Sequence, residues 1–598
     1  MSTRIVSTPS PRPVVSPAPV AKSAPVTSQV TGPASGFDAA PVASNALKGA
    51  AAAGHVPLPS LAAGQASSPN RPLPMESPKA QAAIAQSLAA LNAGPNGFTA
   101  SGVRYVPTQV TVDELGMTHV RFDRNVDGTK VFGSQAISHL GKDGMVQSVT
   151  GDTAEIQAPV NVRAPLSTDK AEAIARAQFE GEPRSTKSEA VLVQDANGQY
   201  VRAVHVELTN LQDGAPRDQH YLVSAATGEV MDSWNQIDPF LDPASVASAR
   251  QSMDPAPTPE PTPAPEPTPT PEPTPNPKAD DTSLYSGKVE IDATQKEDGT
   301  WALDDKTRGQ GVETRDANNK YNNTGATEIV DDNNLWGEAT DPERSKAAVD
   351  AQYGAQMTYD FYKDVLGRDS IDGKGEKLNN NVHIRDNYVN AFWDGTQMNY
   401  GDGDGVNSGP LTAIDVAGHE ITHGLTERTA GLQYRGESGG LNEAMSDILG
   451  KGVEWYAAQQ NPDVKPSWGV GSTIWTPGKD GDALRYMDDP SKDGRSVDNY
   501  QNYKPGLDVH YSSGIANNAF VLLVQGGTNR TSGIEVKDGI GMDKAEKIFA
   551  RALTTYMTPS TTFAQARAYT LQAAQDLYGA DSVEAQTVAQ SWTAVGVN

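Results

Sequence analysis

The sequence predicts an α+β protein in two parts, and three features predict it. Before residue 250, alternating strand patterns surround two helical stretches. A proline-rich run follows. Beyond it the pattern starts with strands and finishes in helices, which reads as a mixed lobe followed by a helical one. The chain has 598 residues, room for roughly two to four folded units.

Composition narrows the function. Lysine and arginine number 48 against 74 acidic residues, a net charge of −26. That argues against nucleic acid and anionic membranes as partners, since both need basic patches. There is no cysteine, so disulfides and thiolate metal sites are excluded and any zinc must rest on histidine and carboxylate. No apolar run is long enough to span a bilayer as a helix. Met1-Ser2-Thr3-Arg4-Ile5-Val6 runs at once into Ser, Thr and Pro, so no secretory signal is readable.

Residues 1–75 are rich in Pro, Ala and Ser and are expected to be disordered, with order beginning near Lys79. Ala80 to Leu91 has helix-forming composition. Thr118–Asp123 and Lys130–Leu140 alternate about the turn residues Asn125 to Gly128 and predict a hairpin. A helix over Thr168–Phe179 is capped by Ser167 or Thr168. Ala190–Val193, Tyr200–Leu208 and Gln219–Ser224 read as strands, and Ala226–Glu229 turns the chain into Val230 and Met231. Pro255 to Pro277 has proline at every second position, an extended spacer of roughly 70 Å at ~3.1 Å per residue. Maturation cleavage is expected in or just after it.

Past Lys278, short strands are expected around Val289–Ile291 and Trp301–Leu303. Asp341 caps a helix with Pro342 in its first turn. Val349, Tyr353, Met357, Phe361 and Val365 form its buried stripe, and Gly367 ends it. Asn380–Ile384 and Ala391–Tyr400 read as strands. Tyr400 to Gly405 is a Gly/Asp turn, because an EF-hand would need a closing glutamate that is missing. His383 is read as structural. Residues 543–598 are mostly helical.

The chemistry centres on His419-Glu420-Ile421-Thr422-His423. On a helix, residues four apart share a face, so both imidazoles can bind one zinc ion, with Glu420 beside its water. The motif has three fixed positions and recurs by chance, so context decides. Glu443, 20 residues beyond His423 on a helix opening at Gly440, can complete a His, His, Glu set. Asp447, one turn further, can accept the other ring N–H of a zinc-bound histidine, His419 being the candidate. The class that uses a third histidine six residues after the second is excluded, since Thr429 stands there.

At these residues, together with Asn390-Ala391-Phe392-Trp393, the Tyr400 turn, Asn442-Glu443-Ala444-Met445-Ser446-Asp447 and Asp508-Val509-His510-Tyr511, the segment from about 280 to 598 resembles the thermolysin-like metalloproteases. Val131–Gln135 and Tyr221–Val230 resemble two propeptide modules of thermolysin-type and fungalysin-type precursors. Between the N-terminus over 1–75, disordered by its composition, and the proline-rich linker over 251–278, the resemblance implies an α+β propeptide of two modules over 76–250. It implies a catalytic N-terminal lobe over 279–428 and a helical C-terminal lobe over 429–598, with the motif helix at the floor of the cleft between them.

It also implies roles. Zinc is bound by His419, His423 and Glu443. Glu420 is general base. Tyr434 and His510 stabilise the oxyanion, and Asp508 orients His510. Asn390 and Ala391 hold the substrate backbone, Arg485 its carbonyl, and Leu411, Val416 and Leu484 line an apolar pocket for the residue after the scissile bond. Asp415, Glu454 and Asp463 match calcium ligands, with Asn461 nearby. Because Lys465 and Trp468 stand where double-calcium members are acidic, one structural calcium is expected there. Thr476 and Asp482 match a further site.

The implied protein is a secreted zymogen, inhibited by its own propeptide, acting on peptides and proteins, and monomeric once matured. The alternative reading is a zinc-binding but catalytically silent interaction protein with the first 250 residues as a separate binding module. Glu420, Tyr434 and His510 are the residues whose loss would have favoured it.

Overall fold

The computed structural model describes residues 70–93, 103–153, 156, 165–195, 197–211, 216–241, 281–320, 325–339, 341–342 and 344–598. The readings made on residues 1–69 and on the proline-rich run lie outside them. Order begins earlier than expected: Arg71 and Pro72 pair antiparallel with Val112 and Thr111.

The part of the chain before the proline-rich run, expected to be a pro-region, is built on one sheet. Among the described residues it has nine strands. The hairpin Thr118–Val126 and Thr129–Leu140 turns at Asp127 and Gly128, both at positive φ, where Asp and Gly are tolerated. Ser185–Gln194, Tyr200–Asn210, Arg217–Ser224 and Val230–Asn235 follow as an antiparallel meander. The expected two modules are fused, because Lys130 and Val131 pair in parallel with Val191 and Leu192. Helix Pro78–Ala93 covers one half through Ala80, Ala83, Ile84 and Leu91, packed on Tyr105, Val120 and Phe122. Helix Thr168–Arg176 covers the other, with Ala171 and Ala175 against Val204, Val206 and Tyr221. Ser167 stands at its N-cap with extended backbone but makes no side-chain cap bond.

The following part has a mixed lobe and a helical lobe. The early strands are shorter than expected, at Lys288–Val289 and Trp301–Ala302. Ala391–Tyr400 splits into Ala391–Trp393 and Met398–Tyr400, because Asp394 accepts the N–H groups of Thr396 and Gln397 and turns the chain. The stripe helix starts at Ser345, later than expected. Asp341 does not cap it; its carboxylate accepts the Gly337 and Glu338 N–H groups instead. Helices Gly514–Gln525, Met542–Arg551, Phe563–Tyr578 and Val583–Ala594 form the C-terminal lobe. They share one continuous core with the mixed lobe.

The pro-region is seated on this body by buried polar contacts. Arg551, 4% exposed, donates to Asp113 at 2.8 Å and to Glu114 at 3.1 Å on the pro-region, and to Asp576 of its own lobe at 3.0 Å. Arg121 donates to the Met557 carbonyl at 3.0 Å. The tail of the pro-region goes further. Asp238–Pro239 pairs antiparallel with Ala391–Trp393, so it is an edge strand of the second sheet.

Candidate functional site

The motif helix runs Ile414–Arg428, and the helix carrying Glu443 runs Gly436–Ala458, one turn earlier than Gly440. They cross where Gly418 meets Gly450. A Cβ on Gly418 would lie 2.9 Å from Gly450 Cα, and one on Gly450 would lie 2.7 Å from the Asp415 carbonyl oxygen. Only glycine permits that approach, and it carries Glu443 to the histidines.

His419, His423 and Glu443 gather as a buried group whose ligating atoms all lie within 4.8 Å of one another. The two Nε2 atoms face each other at 3.0 Å. Glu443 Oε2 is 3.7 Å from His419 Nε2, and Oε1 is 3.6 Å from His423 Nε2. Each ring is fixed from behind: His419 Nδ1 lies 2.9 Å from Asp447 Oδ1, and His423 Nδ1 lies 2.9 Å from Asn442 Oδ1. Those acceptors direct the Nδ1 protons outward and leave both Nε2 lone pairs inward. Glu443 Oε2 is buried with no hydrogen-bond partner. Convergent lone pairs and an orphaned carboxylate oxygen fit a divalent cation, and two imidazoles with one carboxylate suit zinc.

Glu420 is fully buried, and neither carboxylate oxygen makes a well-formed hydrogen bond. Burial, then the neighbouring Glu443 charge, raises its pKa well above the ordinary value. Asp447 behaves oppositely. Burial would raise it, but Arg485 and His419 more than offset that and hold it well below the usual carboxylate range. Arg485 donates to both Asp447 oxygens, at 3.0 and 2.7 Å, and Asn517 adds a third donor at 2.8 Å.

On the other side of the cluster, Tyr434 donates from its hydroxyl to Glu443 Oε1 at 2.6 Å and lies 3.2 Å from His510 Nε2. His510 Nδ1 is 2.7 Å from Asp508 Oδ1. Burial lowers the affinity of His510 for a proton, but Glu443 and Asp508 overcome it and push its pKa up to about 9.

The cleft is filled by the pro-region's last described residues. His510 Nε2 donates to the Pro239 carbonyl at 2.7 Å. The Phe240 N–H donates to the Ala391 carbonyl at 2.9 Å, and Arg485 donates to the Phe240 carbonyl at 3.1 Å. Asn390 accepts from the Leu241 N–H at 2.9 Å and donates to its carbonyl at 2.8 Å. The Phe240 ring meets the edge of His419 at 5.0 Å and lies under the Arg485 guanidinium at 5.1 Å. Leu411, Val416 and Leu484 belong to the same buried cluster. Composition gave no sign of Pro239, Phe240, Asn442 or Asn517 in the site. Ile237-Asp238-Pro239-Phe240-Leu241, an apolar island before the linker, was the one available signal.

The calcium expectation does not fit. Between Asp415 and Glu454 sits the ammonium of Lys451, at 2.8 and 2.9 Å, with all three side chains buried. Asp463 stands apart, against Gly287. Among the described residues only His419, His423 and Glu443 form a group able to share an ion. The second expected site is also internally satisfied, since Asp482 accepts from Thr476, Lys479 and Tyr486. Lys451→Met is therefore expected to leave two facing buried carboxylates and to lower stability by about 3–5 kcal/mol. Millimolar calcium is expected to recover part of that loss in thermal unfolding of the variant and to leave the wild type unchanged. A wild-type melting temperature that falls in a calcium chelator contradicts this. His383, read as structural, pairs through Nδ1 with Asp402 at 2.6 Å, away from the cluster.

Comparison with known proteins places the chain in a family. Residues 278–427 match the thermolysin metallopeptidase catalytic domain, 430–597 the thermolysin metallopeptidase alpha-helical domain, and 104–153 the fungalysin/thermolysin propeptide motif. Bacillolysin of Bacillus cereus is 39% identical over 498 residues, covering 80% of this chain and 82% of that protein. Thermolysin of Alicyclobacillus acidocaldarius subsp. acidocaldarius is 37% identical over 513 residues, covering 81% and 84%. A solved precursor of protealysin, a metalloproteinase from Serratia proteamaculans, is 31% identical over 48% of this chain and 87% of its own, with a TM-score of 0.40, an overlap that adds nothing to the sequence relationship. The chain belongs to the thermolysin family of metalloendopeptidases, in a zymogen form that still carries its pro-region.

Proposed function

We propose that this peptidase cuts on the N-terminal side of large apolar residues and is held silent by the tail of its own pro-region. The carrying observation is the seating of Phe240. Its ring is buried beside His419, while the backbone around it is held by His510, Ala391, Arg485 and Asn390. A peptide lying there takes the same hydrogen bonds, and its residue after the scissile bond takes the place of the Phe240 ring.

Zinc, which the family implies, would be held by His419, His423 and Glu443 and supplies a polarised carbonyl and a water of lowered pKa. Glu420 takes the water's proton and passes it to the leaving amine; a carboxylate stripped of solvent is a stronger base than one in water. The Tyr434 hydroxyl and the protonated His510 ring donate to the oxygen that gains charge, and Asp508 keeps His510 oriented and charged. Arg485, anchored on Asp447, holds the next carbonyl in register. Calcium at Asp415, Glu454 and Asp463 is no part of this reading, because Lys451 holds that place.

Secretion and a monomeric mature form, both implied by the resemblance, belong to the same proposal. Among the described residues no helix is long and apolar enough to cross a membrane.

A series of blocked peptides differing only at the residue after the cut tests the specificity. Phe and Leu are expected to exceed Asp in kcat/KM by about 10²-fold or more, since a buried apolar pocket offers an anion no partner. Equal rates would contradict the pocket assignment.

A further inference from the structure

We infer that the first cut in this chain falls at its own Pro239–Phe240 bond, which lies in the cleft as a substrate. The inference rests on the peptidase reading and names the bond on which that site first acts. It differs from the expectation that maturation cleavage falls in or just after the proline-rich run.

The register is fixed at five backbone groups. The Pro239 carbonyl is bound by His510, beside Tyr434. Both backbone groups of Phe240 are bound, by Ala391 and Arg485, and both of Leu241 are bound by Asn390. The carbonyl facing the oxyanion donors is therefore that of Pro239, and the bond after it is the one placed for attack. Proline suits this position. It has no N–H to leave unpaired at a sheet edge, and it biases Asp238 towards the extended backbone that pairs with Trp393.

The side chains agree. Phe240 is completely buried in the apolar cluster. The proline-rich run offers nothing comparable: residues 254–278 contain only Asp, Pro, Ala, Thr, Glu, Asn and Lys. A cavity of about 360 Å³, with Ile237, Trp393 and His423 among its lining residues, lies between the pro-region and the catalytic part.

The step is a hydrolysis. One water is consumed; its oxygen bonds to the Pro239 carbonyl carbon, the C–N bond to Phe240 breaks, and a proton goes to the Phe240 nitrogen. The pro-region then ends in a Pro239 carboxylate, and the linker stays on the enzyme with Phe240 as its free amine.

The test loads the full-length chain with zinc and follows new N-termini with time, alongside cleavage of an external peptide with Phe after the scissile bond. Phe240 is expected as the earliest new N-terminus. Phe240→Asp is expected to slow its formation by roughly tenfold or more, since burying a charge in that pocket is costly; Phe240→Leu is expected to keep the same cut. In the zinc-free chain, hydrogen exchange is expected to show the Phe240 and Leu241 amides protected, and unprotected in Phe240→Asp. A chain that cleaves the external peptide while its first new N-terminus lies past residue 250 overturns the inference and leaves the peptidase reading standing. So does one in which the 239–240 bond stays intact. A zinc-loaded chain that cuts neither itself nor the peptide overturns the peptidase reading instead.

Discussion

Glu420→Ala is expected to bind one zinc per chain and to lose peptide hydrolysis by roughly 10²–10⁴-fold, the range that a positioned general base supplies. The side chain is not in the ligand group. It follows His419 directly on the motif helix. The same substitution is expected to stabilise the metal-free protein. Both Glu420 oxygens are buried without well-formed hydrogen bonds, and removing such a group recovers about 1–3 kcal/mol. Thermal unfolding of the zinc-free chains checks this, with the variant melting higher. A variant that melts lower and releases zinc would make Glu420 a structural or ligating residue. One that cleaves at the wild-type rate would exclude it as the base.

Asp447→Ala is expected to act in the opposite sense on stability. Asp447 receives Arg485 twice, Asn517 once and the His419 ring. Its removal leaves a fully buried guanidinium without its principal anion, a loss of about 3–5 kcal/mol. The His419 ring also loses the acceptor that sets its tautomer, which is expected to weaken zinc binding by roughly 10–100-fold. Arg485 is the residue that holds the Phe240 carbonyl, so the variant is expected to grip the pro-region tail less firmly. Denaturant unfolding and competitive zinc titration measure the first two effects. Zinc affinity and stability both unchanged would show that the pairing carries no weight.

The ligand set was readable because helical periodicity is local. A spacing of four fixes His419 and His423 on one face whatever surrounds them, and the same spacing relates Glu443 to Asp447. The hairpin at Asn125–Gly128 was readable for the same reason, since Asp127 and Gly128 accept the positive φ that such a turn needs. What distant packing decides was not readable. Helical spacing places the Lys451 ammonium beside Glu454, three residues on, but nothing near it in sequence says that it also reaches Asp415; the family pattern at those two acids pointed to calcium. Asp341 looked like a helix cap, but the 337–338 backbone competes for its carboxylate and the helix starts at Ser345. The fusion of the pro-region's two halves depends on two residue pairs between distant strands. Most consequential is Phe240. Its neighbours Asn390, Arg485 and His510 lie 150 to 270 residues away, and only the folded chain brings them to it.

X-ray absorption at the zinc edge of the metal-loaded, full-length chain tests the central claim most directly. The account predicts two imidazoles and one carboxylate around the metal, with one imidazole lost in His423→Ala and the spectrum of His510→Ala unchanged. A first shell with three imidazoles, with none, or with one removed by His510→Ala would contradict it.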